Sequence, residues 1–235
     1  MAKLNMVQAI NLALRQEMEK DDKVLVLGED VGVDGGVFRV TEGLLDKFGE
    51  MRVVDTPLAE SGILGSSIGM AVAGLKPVCE MQFSGFSYLM IGQFEAHATR
   101  FRSRTQGQFT VPLVIRMPYG GGVRALEHHS ESREATYAHL PGAKVVTPSS
   151  PRNARALLVA AIRDPDPVIF MEPKHSYRAF REEVPEEEEV MPLGKAQVVQ
   201  EGKDLTLVSW GAMMRPALKA AAEVEKKRGT SIEII

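Results

Sequence analysis

Short apolar runs recur along this chain, each closed by a polar or glycine-bearing turn and followed by a segment of helical periodicity. The first, Lys23-Val24-Leu25-Val26-Leu27, stops at Gly28-Glu29-Asp30, and residues 51–54, 78–82, 111–116, 144–146 and 167–171 repeat the pattern. Runs this apolar, without alternation, suit strands covered on both faces. Helical patterns lie between them at about residues 42–48, 60–73, 87–104 and 151–163, with a short one before residue 144. Ahead of the first strand, Asn5 and Gln8 have the spacing of a capping box, and Val7, Ile10, Leu14 and Met18 line one helix face. Strands and helices in this rhythm predict an α/β fold, a mainly parallel sheet flanked by helices. Such a sheet places its ligand outside the carboxyl ends of its strands.

The rhythm is interrupted by residues 182–189, where Glu182, Glu183, Glu186, Glu187, Glu188 and Glu189 surround Pro185. A charge run of this kind reads as a solvated linker. A strand at 204–210, a helix at 213–227 and a strand opening at 231–235 follow it. One β-α-β unit cannot close its own core. The expected organisation is therefore an α/β domain over 1–181, an acidic linker and lead-in over 182–203, and an incomplete second α/β domain over 204–235.

Across 235 residues, 44% are hydrophobic, 25% are charged and the formal net charge is −3. That balance provides no global positive field for nucleic acid or anionic lipid. The lone Cys79 has no internal disulfide partner, which suggests a reducing compartment. With no apolar stretch of membrane-spanning length and no charged leader, the expectation is a cytoplasmic protein that avoids membranes.

Glu29, Glu60, Gln82 and His129 stand where strand ends or loops would bring them to one crevice. Each has a plainer explanation. Acidic residues are common in turns such as Gly28-Glu29-Asp30. A carboxylate at position 60 is favoured at a helix start. Gln82 could satisfy backbone groups, and His128 and His129 occupy a polar loop. Metal ligation by those adjacent histidines is disfavoured, because only His139 lies near them and no cysteine does. No Walker phosphate loop is present, and Gly32, Gly35 and Gly36 do not form a dinucleotide fingerprint. Spacing alone leaves the chemistry open.

As ordered blocks, however, these segments resemble one family. They are Leu27-Gly28-Glu29-Asp30-Val31, Gly35-Gly36-Val37-Phe38, Asp55-Thr56-Pro57-Leu58-Ala59-Glu60, Glu80-Met81-Gln82-Phe83, Arg116-Met117-Pro118, Gly120-Gly121-Gly122, His129-Ser130, Lys144-Val145-Val146 and Pro167-Val168-Ile169-Phe170-Met171-Glu172-Pro173. In this order they resemble the beta subunit of the thiamine diphosphate-dependent decarboxylase component of 2-oxo acid dehydrogenase complexes, along essentially the whole chain.

The resemblance implies a transketolase-type pyrimidine domain and a cofactor shared with an alpha subunit. That partner carries a Gly-Asp-Gly motif, absent here, which holds Mg²⁺ and the diphosphate. Glu60 matches the glutamate that bonds a nitrogen of the aminopyrimidine, and burial favours the protonated form of such a carboxyl. Glu29, Leu58, Ala59 and Gln82 match the pocket lining, and Phe86 the aromatic residue stacked on the pyrimidine. His129 matches a substrate-facing histidine that serves as proton carrier in reductive acylation of a lipoyl group. Phe83, Ser84, Gly85 and Phe86 would shape the acyl pocket. Backbone carbonyls of Leu113, Ala161 and Asp164 match a potassium site of some relatives. An α2β2 assembly and a lipoyl-bearing acyltransferase partner are implied for full-length subunits.

Between Gln82 and Tyr88 the chain lacks the acidic residue and tyrosine of many branched-chain-type subunits, so pyruvate and branched-chain 2-oxo acids both remain substrates to consider. The helix with Gly62, Gly65, Gly69 and Gly74 has either of two uses, tight packing within the chain or contact at the subunit interface. Alternatives of other kinds are an acetoin-dehydrogenase or transketolase-like relative, and a non-catalytic interaction subunit.

Overall fold

The computed structural model describes residues 2–235. A short strand β1 (Ala2–Leu4) precedes α1 (Met6–Lys20), which opens with the expected capping box. Asn5 Oδ1 accepts from the Gln8 amide at 3.0 Å, and Gln8 Oε1 accepts from the Asn5 amide at 3.2 Å. The chain then alternates: β2 (Val24–Gly28), α2 (Leu44–Phe48), β3 (Val53–Asp55), α3 (Glu60–Val72) and β4 (Lys76–Glu80). Next come α4 (Ile91–Ala96), α5 (Phe101–Arg104), β5 (Val114–Tyr119), α6 (Glu134–Ala138), β6 (Lys144–Val146), α7 (Pro151–Arg163) and β7 (Val168–Pro173).

Six strands pair in the order β3-β2-β4-β5-β7-β6, all parallel. Every residue of β2, β5 and β7 is buried, as their largely apolar character favours, with Arg116 in β5 and Glu172 in β7 as the charged exceptions. The pleat sorts these side chains between two cores. Val26, Val78, Val114 and Phe170 join Ile10, Leu14 and Leu158 beneath α1 and α7. Leu27, Cys79, Ile115 and Met171 join Leu64, Phe94 and Tyr137 on the α3 side. The Cys79 thiol is pushed up to about 12 by burial, which leaves it a small apolar filler. The connection from β2 runs to β3 on one side, whereas the next strand, β4, lies on the other. The carboxyl ends of β2 and β4 thus flank a topological switch point.

The structure departs from the sequence expectations in two places and bears on an open alternative in a third. The helix expected over 87–104 is broken: a 3-10 turn (Phe86–Met90), α4, a second 3-10 turn (Ala98–Arg100) and α5 replace it. At His97 the backbone leaves the helical region. The carbonyls released there are taken by side chains, with Thr99 Oγ1 and Arg100 Nε donating to Glu95 and an Arg104 nitrogen to Ala96. The carboxylate run is not merely solvated, since Glu182–Val184 forms β8, paired antiparallel with β1. Glu188 binds Arg163 and Lys20, and Glu189 binds Arg152, which fastens the segment across α1 and α7. Of the two uses open to the glycine helix, tight packing within the chain is not seen at Gly69 of α3 or at Gly74 just beyond it, where an added Cβ meets nothing within 4 Å among the described residues.

Beyond β8, β9 (Leu205–Leu207) pairs in parallel with β10 (Ile232–Ile234) through α8 (Met214–Arg228). This unit buries only Met214, Ala221, Ile232 and Ile234 as a core. It meets the larger domain at α6, where Trp210 Nε1 donates to Glu134 Oε1 at 3.4 Å. Among the described residues, no helix is long and apolar enough to cross a membrane.

Candidate functional site

The switch point gathers carboxylates. β2 ends at Gly28, where a Cβ would lie 2.9 Å from the Glu80 carbonyl, so only glycine lets the two strand ends run this close. Glu29 follows and is buried. The Thr56 amide donates to the Gly28 carbonyl at 2.9 Å, bringing the loop ahead of α3 against the end of β2. Glu60 opens α3 there, 3% exposed, at the positive end of the helix. Among the described residues its Oε2 is buried without a hydrogen-bond partner, as is Thr56 Oγ1. Burial, then the charges of Glu60 and Asp30, holds the Glu29 carboxyl above the usual carboxylate range. Gln82 crosses the crevice, donating from Nε2 to Asp30 Oδ2 at 2.7 Å. Leu58 and Ala59 are exposed at its rim, Leu58 by 77%.

Beside the carboxylates stands an aromatic wall. The Phe83 ring meets Phe38, Phe86 and His129 edge-on, with centroids 5.6, 5.5 and 4.5 Å away. Phe86 and His129 are 5.1 Å apart. The turn carrying the phenylalanines is tied to the loop carrying the histidine: Ser84 donates from its amide to the Pro118 carbonyl and from Oγ to the Glu131 carbonyl. A side chain at Gly85 would collide with the His128 carbonyl, so glycine permits this approach. His129 Nδ1 lies 3.1 Å from the Glu127 carbonyl. A carbonyl only accepts, so the proton belongs on Nδ1 and Nε2 is left open.

Sequence reasoning passed over the floor of this site. Arg116, fully buried on β5, donates to Glu172 at 2.7 and 3.0 Å and to Glu80 at 2.8 Å. Tyr177 donates to Glu172 at 2.5 Å. Burial would lower the Arg116 pKa, but Glu172 and Glu80 outweigh it and hold the guanidinium charged. Lys174, directly after β7, was also missed; its ammonium donates to the His129 backbone carbonyl. A buried lysine is itself unusual, but only strand order reveals where it points.

Other candidates lie apart. Leu113 and Ala161 are at the amino end of the sheet and the end of α7, where their carbonyls accept from the Val168 and Asp164 amides. The Lys144 ammonium binds the Asp164 carboxylate at 2.7 Å, so this corner already holds a cation from the protein itself. Gly65-Ser66-Ser67-Ile68-Gly69 spells the pattern of a nucleophile elbow, yet it lies mid-helix, with Ser67 Oγ donating to the Ile63 carbonyl.

Residues 2–179 match the family described as transketolase, pyrimidine binding domain, and residues 194–235 match transketolase, C-terminal domain. The whole chain is 55% identical to the pyruvate dehydrogenase E1 component subunit beta of Acholeplasma laidlawii and covers 72% of that protein. Identity to the protein of the same name in Bacillus subtilis is 53%, with the same coverage. Among solved structures, a split gene transketolase described as an inactive beta4 tetramer superimposes with a TM-score of 0.76. That match covers 99% of this chain and 71% of the other, and at 21% identity it concerns the fold alone.

Proposed function

Because this chain belongs to the family of pyruvate dehydrogenase E1 component beta subunits, we propose that it supplies the aminopyrimidine-binding half of a thiamine diphosphate site. The observation that carries this reading is Glu60, buried at the switch point with one carboxyl oxygen unpartnered. A buried polar atom is normally satisfied, and a ring nitrogen able to share a proton would satisfy this one. When bound, the cofactor supplies the electron sink that lets a 2-oxo acid lose carbon dioxide.

Glu60 holds the shared proton at Oε2. Glu29 stands beside it as a carboxyl whose ionised form is disfavoured by burial and by the charge of Glu60. Gln82, braced by Asp30, and the rim residues Leu58 and Ala59 orient the ring, and Phe86 packs on it. Phe83, Ser84, Gly85 and Phe86 enclose the acyl group and exclude water. His129 gives or takes a proton at Nε2 as the acyl group passes to a lipoyl group of the acyltransferase. The phenylalanine wall favours a short acyl chain, placing pyruvate ahead of branched-chain 2-oxo acids, although one methylene is worth only about 1–3 kcal/mol of discrimination.

The Gly-Asp-Gly motif, Mg²⁺ and the diphosphate contacts belong to an alpha subunit in this reading, and the open glycine face of α3 is where that subunit would pack. Residues 1–181 act as the pyrimidine domain, with 182–203 leading into the second unit. The test is co-expression with an alpha subunit, followed by 2-oxo acid-dependent reduction of an artificial electron acceptor with and without thiamine diphosphate. Turnover that needs the cofactor and disappears in Glu60→Ala is expected. A folded, assembled complex without turnover would overturn the reading in favour of an interaction subunit.

A further inference from the structure

Lys174 is 5% exposed, yet its ammonium has no carboxylate within ion-pair reach among the described residues. Glu172, two positions earlier, is occupied by Arg116 and Tyr177. The ammonium donates instead to the His129 backbone carbonyl and lies 5.0 Å from the centre of the Phe83 ring. A buried lysine without a counter-ion costs folding energy and needs a reason to be kept. Burial pushes its pKa down to about 8. The titratable neighbours are His129 itself and His175, next in the chain and packed against Gly122 of the same loop.

The two anchors differ in rigidity. Lys174 follows the last residue of β7, a fully buried central strand. His129 sits in a loop in which Arg124 and His128 have φ of +53° and +65°, a region side chains rarely adopt. Such backbone persists only when its surroundings hold it. We propose that Lys174 is a positioning residue for His129: its ammonium clamps the histidine carbonyl to the end of β7 and thereby sets the imidazole against Phe83 and Phe86. The clamp is a charge-assisted hydrogen bond reinforced by the face of Phe83, and both interactions weaken when the ammonium loses its proton. The role in turnover rests on the reading of His129 as the substrate-facing group, whereas the clamp itself does not.

Two measurements separate those claims. In the chain alone, histidine ring signals are followed by NMR from pH 6 to 10, with His129 identified by the loss of its signal in His129→Gln. The His129 signal is expected to show a step near pH 8, where Lys174 loses its proton, and Lys174→Met should remove that step and broaden the signal throughout. A wild-type curve without the step near pH 8, or an unaltered His129 signal in Lys174→Met, overturns the clamp. In the complex with an alpha subunit, Lys174→Met should lower kcat for a 2-oxo acid by up to about 100-fold, the scale of a misplaced reacting group. Wild-type kcat should fall above about pH 8 as Lys174 loses its proton, whereas Lys174→Arg, charged at all these pH values, should recover the rate at neutral pH without that fall. A variant that keeps wild-type kcat and pH profile overturns the positioning role. A wild-type complex without turnover overturns the proposed function, and the NMR titration still decides the clamp.

Discussion

Two pairs of buried carboxylates stand at neighbouring strand ends and are held in opposite ways. Glu80 and Glu172 flank Arg116, whose guanidinium bonds both, and Tyr177 takes a further lone pair. Among the described residues Glu29 and Glu60 have no cation partner, and Glu60 has an oxygen without any hydrogen-bond partner. All four carboxylates are buried, with no more than 7% of any of these residues exposed. Compensation separates the carboxylates that hold the sheet together from those left available for chemistry, and uncompensated groups of this kind are concentrated at functional sites.

The comparison breaks most sharply if Glu60→Gln behaves like a core mutation. Gln keeps the shape and removes only the ability to hold and release a proton. In the assembled complex, thiamine diphosphate-dependent turnover should fall by about 100- to 10,000-fold, the range of a lost acid–base group. The thermal midpoint should stay unchanged or rise. Loss of stability with turnover intact would make Glu60 structural.

Arg116→Met tests the other pair. Removing the single cation leaves two buried carboxylates facing each other, which should cost about 3–5 kcal/mol. For a domain of this size that is a drop of roughly 6–20 °C in thermal midpoint. Burial raises the Glu80 pKa even with Arg116 present. Without Arg116 its protonated form is favoured further, so the deficit should shrink as pH falls towards 4.5. Denaturant unfolding at pH 5 and pH 8 measures both effects; a deficit that is small or independent of pH would remove Arg116 from the role given to it.

The two pairs were unequally legible in the sequence. Glu29 and Glu60 each follow a turn at the end of an apolar run, so strand-end position alone nominated them. Glu80, Arg116 and Glu172 lie within or directly after such runs, and their charges look misplaced until strands β4, β5 and β7 are known to be neighbours. That order depends on pairings between residues 36 to 56 positions apart, which no local pattern encodes. The α1 capping box and the helix Pro151–Arg163 were legible because caps and apolar faces are local. The break at His97 was not, because it is stabilised by the Thr99, Arg100 and Arg104 side chains that replace helical amides. Lys174 was hidden for the same reason as Arg116: its partner, the His129 carbonyl, is 45 positions away.

A gentler probe of the uncompensated pair is Glu29→Gln. The Glu29 carboxyl is raised in the fold, so its ionisation works against folding as pH climbs above the unfolded value of 4.5. Neutralising it should therefore stabilise the chain at pH 7, read as a rise in the thermal midpoint of Glu29→Gln over wild type. The gain should vanish below pH 4.5, where the wild-type carboxyl is protonated in both states. A gain that persists in acid would point to packing instead of charge.

The smallest effect belongs to a carboxylate that is compensated but not buried. Hydrogen bonds from Arg163 and Lys20 hold the Glu188 carboxyl down at about 2, at an exposed edge where α1 and α7 meet the acidic run. A lowered pKa contributes stability above the unfolded value of 4.5 that is lost as pH falls towards 2. Water and salt screen such a pair, so geometry this close should still yield little. Glu188→Gln is expected to lower the thermal midpoint slightly at pH 7 in low salt. The difference should disappear in about 1 M salt, where the Debye length is near 3 Å. A loss as large as that of Arg116→Met, or one insensitive to salt, would mean that compensation alone fixes the worth of a carboxylate here. The expected small, screened loss would show that compensation stabilises this fold only where water has first been removed.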